Sequence, residues 1–261
     1  MVERSFLLTM TCLTMLFVIG PVLVVILIAF SSGNFFSFPP PGLSVRWFQA
    51  FFADSDMRGA FLTSIALALL AACGASLLGL LAALGVNRRK GGSTNSLQLL
   101  FMAPLVFPTI VLGLALLVVF RQFGVPTFTG LVFTHTLIGI PYCFRSTLAE
   151  LQNFEPALVE ASESLGASPL KAFFLVVLPI IFPGLFAGWL FAFVVSFGEL
   201  NASLFLTGPG VVTLPIEIFS RLQFQDSALM TAAASATQVA VIIVIVFVAE
   251  RLIGLARVVQ R

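Results

Sequence analysis

Six long stretches that are nearly free of charged side chains constrain this sequence more than any other feature. A helix crosses a bilayer core about 30 Å thick with roughly 20 consecutive apolar residues, because lipid offers no partner to an exposed backbone N–H or C=O group. The sequence therefore predicts an all-α integral membrane protein with six transmembrane helices in a single domain, residues 1–261. The predicted spans are 6–30, 60–86, 97–120, 127–147, 178–199 and 227–249.

The charge content excludes a soluble globule. Of the 261 residues, 59% are hydrophobic and 9% are charged, whereas ordinary soluble domains carry about 25% charged residues. A net charge of +2 provides no concentrated basic face for nucleic acid. The first apolar run is too long for a signal-peptide core, so we expect a retained span. Cys12, Cys73 and Cys143 lie in apolar runs without metal-ligand spacing, which favours packing roles.

The distribution of Lys and Arg predicts the orientation in the membrane. Six spans put both termini on one side, and short cytoplasmic loops are enriched in Lys and Arg. Nine basic residues on the side of the termini outnumber four on the other side, so both termini are expected in the cytoplasm. The nine are Arg4, Arg88, Arg89, Lys90, Arg145, Lys171, Arg251, Arg257 and Arg261. The four are Arg46, Arg58, Arg121 and Arg221.

The polar interval at 150–177, between the fourth and fifth spans, contains the signals of two short helices joined by a tight turn. Pro156 suits the first position of a helix, and Gly166 suits a left-handed residue that ends it. Ser168 and Pro169 suit the N-cap and first position of a second helix. One face of the first helix, at positions i, i+3, i+4 and i+7, consists of Leu158, Ala161, Ser162 and Leu165.

These helices would form a compact polar element attached directly to the fifth span, where Pro179 and Pro183 are expected to interrupt the helix. A stiff element of this kind passes the movement of a partner protein into the membrane, whereas a disordered loop does not. An ordinary loop with interfacial helices has the same periodicity. Spacing alone leaves both interpretations open.

The same interval resembles the cytoplasmic motif of permease subunits of binding-protein-dependent ABC importers. That motif reads EAA, three residues, G, nine residues, I-x-L-P. This chain has Glu160-Ala161-Ser162, Gly166, and then Val176, Leu178 and Pro179 at the same spacing. Ser162 replaces an alanine and Val176 an isoleucine. The stretches PGLSVRWFQAFF and SFGELNASLFLTGP are similar to the second permease of spermidine/putrescine-type systems, so the resemblance covers most of the chain.

The resemblance implies a type I importer permease whose coupling helix contacts a separate ATPase. The expected partners are a second permease, two ATP-binding-cassette ATPases, a periplasmic solute-binding protein and the lipid bilayer, with no nucleic acid. The chain lacks the GxxxxGK[ST] phosphate loop, so we expect a non-catalytic permease without a cofactor, ATP being bound by the partner ATPases. The residues implied in coupling are Glu160, Ala161, Ser162, Leu165, Gly166, Ala167, Pro169, Lys171, Leu178 and Pro179.

The solute implied is small and hydrophilic, either a polyamine such as spermidine or putrescine or a related ligand such as an amino-phosphonate. Relatives of this group often carry an acidic pair where Gly198 and Glu199 stand here, and the single carboxylate weakens the case for a polyamine. Glu199 follows a long uncharged run, and a carboxylate at membrane depth is costly unless it faces water or a partner. We therefore predict a substrate path that includes Glu199, with Asn201 and Ser203 as neutral hydrogen-bonding groups; an interfacial position of Glu199 is the alternative.

Two other interpretations remain for a chain of this composition. A self-sufficient secondary transporter could couple an ion to a solute through a buried acid. An intramembrane enzyme would require an HExxH pair, a GxSxG turn or clustered carboxylates, and none of these occurs. His135 is the single histidine; it has no companions for a metal site, so a hydrogen bond to a neighbouring helix is expected.

Overall fold

The structure, a computed structural model, describes residues 2–88, 93–223 and 228–254. The secondary structure of these residues is helical, apart from two isolated β-bridges that join Ser31 to Leu43 and Gly208 to Val211. The α-helices are α1 (Val2–Ala29), α2 (Arg46–Ala53), α3 (Ser55–Asn87), α4 (Ser93–Met102), α5 (Thr109–Gln122), α6 (Thr127–Asn153), α7 (Ala157–Ser164), α8 (Pro169–Ala172), α9 (Leu178–Gly198), α10 (Ser203–Leu206), α11 (Leu214–Gln223) and α12 (Ala228–Ile253).

Five of the described helical segments are long and apolar enough to cross a membrane, which confirms the all-α membrane class. They are Phe6–Ala29, Ser55–Asn87, Thr127–Asn153, Pro169–Gly198 and Ala228–Arg251. Each overlaps one of the predicted spans. Thr127–Asn153 is longer than the predicted span 127–147, because α6 continues through polar residues to Asn153.

The continuous helix predicted at 97–120 is wrong. This stretch is a pair of helices, Ser96–Leu105 and Thr109–Gln122, which meet at 94° and count as a sixth span if the bent pair crosses as one unit. The cause is visible in the sequence APLVFPT. Pro104 is the second residue of a 3₁₀ turn at Ala103–Leu105, and Pro108 is the N-cap of α5. Proline supplies no backbone N–H and clashes with the preceding turn of an α-helix.

The helical contacts separate the chain into two compact units, the first comprising Met1–Phe61 and Leu214–Val244 and the second Leu62–Thr213 and Ile245–Arg261. In the first unit, Phe51 and Met57 pack with Leu214 in a buried cluster. Beside it, the guanidinium of Arg221 donates to both oxygens of Asp54, at 3.0 and 2.9 Å, and its Nε donates to Glu217 at 2.7 Å. This ion pair joins α11 to the junction of α2 and α3.

In the second unit, α6 and α9 pack extensively against each other. Glycines on α9 permit it: a Cβ atom added to Gly188 would lie 2.6 Å from the Cα of Cys143, and one added to Gly184 would lie 2.9 Å from the backbone oxygen of Ser146. Small residues at this spacing let two membrane helices approach backbone to backbone. We conclude that α6 and α9 form one tightly packed body.

The packing role predicted for the three cysteines holds for one of them. Cys143 is fully buried at the crossing of α6 and α9, and its sulfur lies 3.5 Å from the hydroxyl of Ser76 on α3. Cys12 and Cys73 are exposed on the surfaces of α1 and α3. The prediction was wrong for these two because an apolar run has the same composition on its buried face and on a face toward lipid.

Candidate functional site

The turn between α7 and α8 forms as the sequence predicts. Gly166 has a φ of +90°, and its N–H donates to the backbone oxygen of Glu163 at 2.9 Å. The N–H of Ala167 donates to the oxygen of Ser162 at 3.0 Å, which completes the two-bond pattern of a glycine-terminated helix. Ser168 caps α8 and Pro169 starts it, as expected. The turn is therefore held by backbone bonds at both of its ends.

Pro156 stands one position earlier than predicted. It is the N-cap of α7, with helical backbone angles, and its oxygen accepts from the N–H of Val159 at 3.0 Å. Ala157 is thus the first residue of the helix, and the length of the element is almost unchanged.

The predicted apolar face of α7 is turned away from the rest of the described chain. Leu158 is 43% exposed, Leu165 is 90% exposed, and Leu170 at the start of α8 is 71% exposed. Ala161 is exposed as well, whereas Ser162 is half-buried. Three exposed leucines on one short, polar element form an apolar contact surface rather than part of the chain's own core.

The opposite side of the element borders a cavity of about 340 Å³. Charged side chains of three residues, Arg88, Glu160 and Glu163, contribute to its wall. The apolar wall consists of Leu84, Leu151, Phe154, Pro156, Val159, Pro169, Ala172, Phe173 and Val177. The cavity lies between α7 and residues at the ends of α3 and α6, and α7 also contacts α8 and the turn at Phe173–Val177.

The expected interruption at Pro179 and Pro183 is wrong, since the chain from Pro169 to Gly198 is one continuous helical segment. A π-helical turn at Phe173–Val177 lies between α8 and α9. Pro179 follows this turn within the first two positions of α9, where a missing N–H costs little. Pro183 lies inside α9 without ending it. The α7–α8 element is thus joined directly to a membrane-length helix.

The remaining residues implied in coupling lie around this connection. Lys171 and Pro179 are exposed, and Ala167 is half-buried. Leu178 packs against a buried cluster that includes Phe144 and Ile181. The helical start of α9 is therefore fixed in the core of the second unit, while α7 projects from it.

The far end of α9 turns sharply at Glu199. Glu199 caps the helix in an extended conformation (ψ 117°), and its Oε1 accepts the N–H of Ala202 at 2.9 Å. Its side chain is half-buried, that of Asn201 is exposed, and Ser203 is fully buried. The carboxylate therefore stands at a bend between α9 and α10 rather than within a regular helix.

His135 joins this bend to α6. It is 2% exposed, its Nδ1 lies 2.8 Å from the Oγ of Ser196, and its Nε2 lies 2.9 Å from the Oγ of Ser203. The expected hydrogen bond to a neighbouring helix is confirmed, and it is made twice. Ser203 thus already has a partner within the chain, unlike the exposed Asn201. No pattern in the sequence indicated the hydrogen bond to Ser196.

A second feature that sequence reasoning missed is a row of aromatic rings along α9. Its last four rings are nearly parallel, with centroids 5.5, 5.8 and 5.6 Å apart, from Phe186 through Trp189 and Phe193 to Phe197. Phe182 continues the row at 6.1 Å from Phe186. The signal was present as aromatic residues every three or four positions. The row adds stiffness to the helix that connects α8 with the bend at Glu199.

Comparison with known proteins finds sequence relatives over most of this chain. Residues 75–256 match the family model described as binding-protein-dependent transport system inner membrane component. The putrescine transport system permease protein PotI of Escherichia coli is 33% identical over 216 residues, which are 79% of this chain and 76% of PotI. The spermidine/putrescine transport system permease protein PotC of the same organism is 27% identical over 90% of this chain and 88% of PotC.

The fold is found in a solved transporter. A bacterial alginate ABC transporter, crystallised in complex with an alginate pentasaccharide-bound periplasmic protein, matches with a TM-score of 0.68 at 18% identity, over 96% of this chain and 94% of that chain. The structural match shows the fold, whereas the family model and the similarity to PotI show the family to which the chain belongs. The chain belongs to the family of inner membrane components of binding-protein-dependent transport systems and is a permease subunit of an ABC importer.

Proposed function

We propose that the chain works with a second permease, two separate ATPases and a periplasmic solute-binding protein in a bacterial inner membrane. The family description names the binding protein as part of such systems. The excess of Lys and Arg on the side of residues 88–90 and 171 supports an orientation with both termini and the α7–α8 element in the cytoplasm. The chain carries no phosphate-loop motif, which supports ATP binding by the partner subunits and no cofactor of its own.

The α7–α8 element is the docking site for one of these ATPases. The observation that carries this assignment is the exposed apolar surface of Leu158, Leu165 and Leu170, on two short helices that the hydrogen-bonded turn at Gly166 joins. A partner groove that covers this face would remove apolar surface from water and stabilise the complex. Because α8 continues into α9, displacement of the element moves the helix that ends at Glu199.

The proposed solute is a small organic cation of the polyamine class. The names of PotI and PotC support this class of substrate. In this chain the negative charge that would bind such a cation is the carboxylate of Glu199, whose Oε1 accepts the N–H of Ala202. Its Oε2 has no hydrogen-bond partner among the described residues, and a partly desolvated carboxylate attracts an ammonium group. Asn201, exposed beside it, offers a neutral polar contact.

The docking assignment is tested with Glu160→Lys in the complex reconstituted with its ATPases, second permease and binding protein. We expect the variant to insert normally but to lose coupling between ATP hydrolysis and uptake. Glu160 lines the cavity behind the docking surface together with Arg88, so a lysine there adds a second positive charge to that cavity and displaces the element. Glu155→Lys makes the same charge change at an exposed residue just before α7 and serves as the control. Normal binding-protein-stimulated hydrolysis and uptake in Glu160→Lys would refute the assignment.

The solute class is tested separately by uptake of radiolabelled putrescine, spermidine and an amino-phosphonate into proteoliposomes that contain the wild-type complex. We expect uptake of one of the two polyamines and a strong reduction with Glu199→Gln. Uptake of the amino-phosphonate alone would reject the polyamine class and leave the docking assignment intact.

A further inference from the structure

The hydrogen bonds of His135 reach residues on both sides of Glu199, the residue that we propose binds the solute. Ser196 precedes Glu199 by three positions and Ser203 follows it by four, and His135 bonds to both hydroxyls from a different helix. The imidazole therefore spans the bend from one side to the other. Without it, α6 would lose its hydrogen bonds to Ser196 and Ser203 on the two sides of the bend.

The side chains of His135, Ser196 and Ser203 have little room to change conformation, because all three are buried. His135, Ser196 and Ser203 are 2%, 5% and 0% exposed. A neutral imidazole has one donor and one acceptor nitrogen, so one serine hydroxyl must accept from the ring and the other must donate to it. Removal of the ring would leave two hydroxyl groups without this partner in a region that water does not reach, which is more costly than the bonds themselves are favourable.

The bend is fixed from the side of α5 as well. A Cβ atom added to Gly113 would lie 2.6 Å from the backbone oxygen of Ala202 and 2.8 Å from its Cα, so the two backbones are in direct contact. Ala202 also donates the N–H that holds Oε1 of Glu199. The position of the carboxylate thus depends on the position of residues 202 and 203, which α5 and His135 hold from two directions.

We propose that His135 is a positioning residue for Glu199: it keeps the bend between α9 and α10 in one register so that the carboxylate moves with the body formed by α6 and α9. This inference rests on the proposed role of Glu199 in solute transfer. His135 does not contact the solute, and it acts through Ser196 and Ser203. Without the two hydrogen bonds of His135, Glu199 would no longer follow α9 when the α7–α8 element is displaced.

The first test is spectroscopic and needs no solute. A nitroxide is attached through Asn201→Cys in the assembled complex, with the exposed Cys12 and Cys73 replaced by serine. We expect His135→Ala to narrow the room-temperature line shape of the label, which reports a more mobile bend. Thr134→Val is the matched control, because Thr134 is equally buried but bonds within its own helix to the oxygen of Gly130.

Two conservative variants keep the test valid if His135→Ala fails to assemble. The amide of glutamine can occupy the place of Nε2 and bond to Ser203, whereas that of asparagine occupies the place of Nδ1 and bonds to Ser196. Because Ser203 lies beyond Glu199, we expect His135→Gln to keep the label ordered and His135→Asn to release it. An unchanged line shape in both His135→Ala and His135→Asn would overturn the proposal.

The second test asks whether His135 acts through Glu199. Uptake of putrescine is measured for His135→Ala, Glu199→Gln and the double variant. We expect His135→Ala to reduce the rate by about tenfold with little change in basal ATP hydrolysis, and the double variant to be no slower than Glu199→Gln alone. Additive losses would reduce His135 to a general structural role and reject the proposal. If the wild-type complex imports spermidine and not putrescine, the same comparison is made with spermidine. If it imports neither, the solute class fails, while the spectroscopic test still decides whether His135 orders the bend.

Discussion

The tight turn at Gly166 allows a quantitative test of how the docking element depends on its backbone. Gly166 has a φ of +90°, and a Cβ atom added there would meet no heavy atom within 4 Å. Replacement by alanine therefore introduces no steric clash with the rest of the chain. Its whole effect comes from placing an L side chain in the left-handed region.

The magnitude follows from that conformation. A left-handed backbone costs a residue with a Cβ atom roughly 1–2 kcal/mol, which changes the equilibrium between the formed and the opened turn by a factor of about 5–30. Asparagine adopts this region more readily, so Gly166→Asn should have a smaller effect. Gly166→Pro should have the largest effect, because proline fixes φ near −65° and also lacks the N–H that donates to Glu163 at 2.9 Å.

The assay is binding-protein-stimulated ATP hydrolysis and solute uptake by the reconstituted complex, expressed as solute imported per ATP hydrolysed. We expect this ratio to fall in the order wild type, Gly166→Asn, Gly166→Ala, Gly166→Pro. Gly124→Ala is the matched control, since Gly124 also has a positive φ, +64°, with no atom within 4 Å, but lies between α5 and α6.

A coupling ratio that is unchanged in Gly166→Ala and Gly166→Pro would refute the reasoning, because it would mean that the ATPase does not depend on the order of this turn. An equal loss in Gly124→Ala would also count against it, since the effect would then reflect general strain rather than the docking element.

Two further predictions concern stability. Gly188→Leu places side-chain atoms where a Cβ already lies 2.6 Å from the Cα of Cys143, so we expect destabilisation by about 1–3 kcal/mol, read as a lower melting temperature of the purified protein in detergent. Gly85→Ala, at a helical glycine with no atom within 4 Å, should not lower it, and equal melting of the two variants would contradict the packing argument. Arg221→Met should remove a bidentate ion pair worth roughly 1.5–3 kcal/mol. Burial by itself raises the pKa of Asp54, but hydrogen bonds from the N–H of Met57 and from Arg221 lower it more, so the net pKa lies below 3.8. A lowered carboxyl pKa contributes stability above pH 3.8 that is lost as the pH falls through the folded-state pKa. The stability difference between wild type and Arg221→Met should therefore persist at pH 5 and shrink below about pH 3.8, and a difference that does not depend on pH in this range would rule out the ion pair as its source.

Short local segments of the sequence were sufficient to predict the membrane helices, the turn at Gly166 and the family motif. Apolar length predicts membrane helices because every backbone group in lipid must be satisfied within its own helix, which is a local requirement. The turn at Gly166 and the cap at Ser168 were predictable for the same reason, since their partners lie within five residues along the chain. The motif around Glu160 and Gly166 indicated the family through spacing in one short segment.

Other features depended on the tertiary structure, because their physical cause lies in residues distant in sequence. The bend at Pro108 and the continuous helix at Pro183 show that the same residue breaks one span and is accommodated in another, depending on the neighbouring turns and helices. Ser203 was predicted as a path residue, but His135, 68 positions earlier, occupies its hydroxyl. Periodicity along one helix carries no information about which residue of another helix faces it, and that pairing joins α6 to both sides of the bend at Glu199.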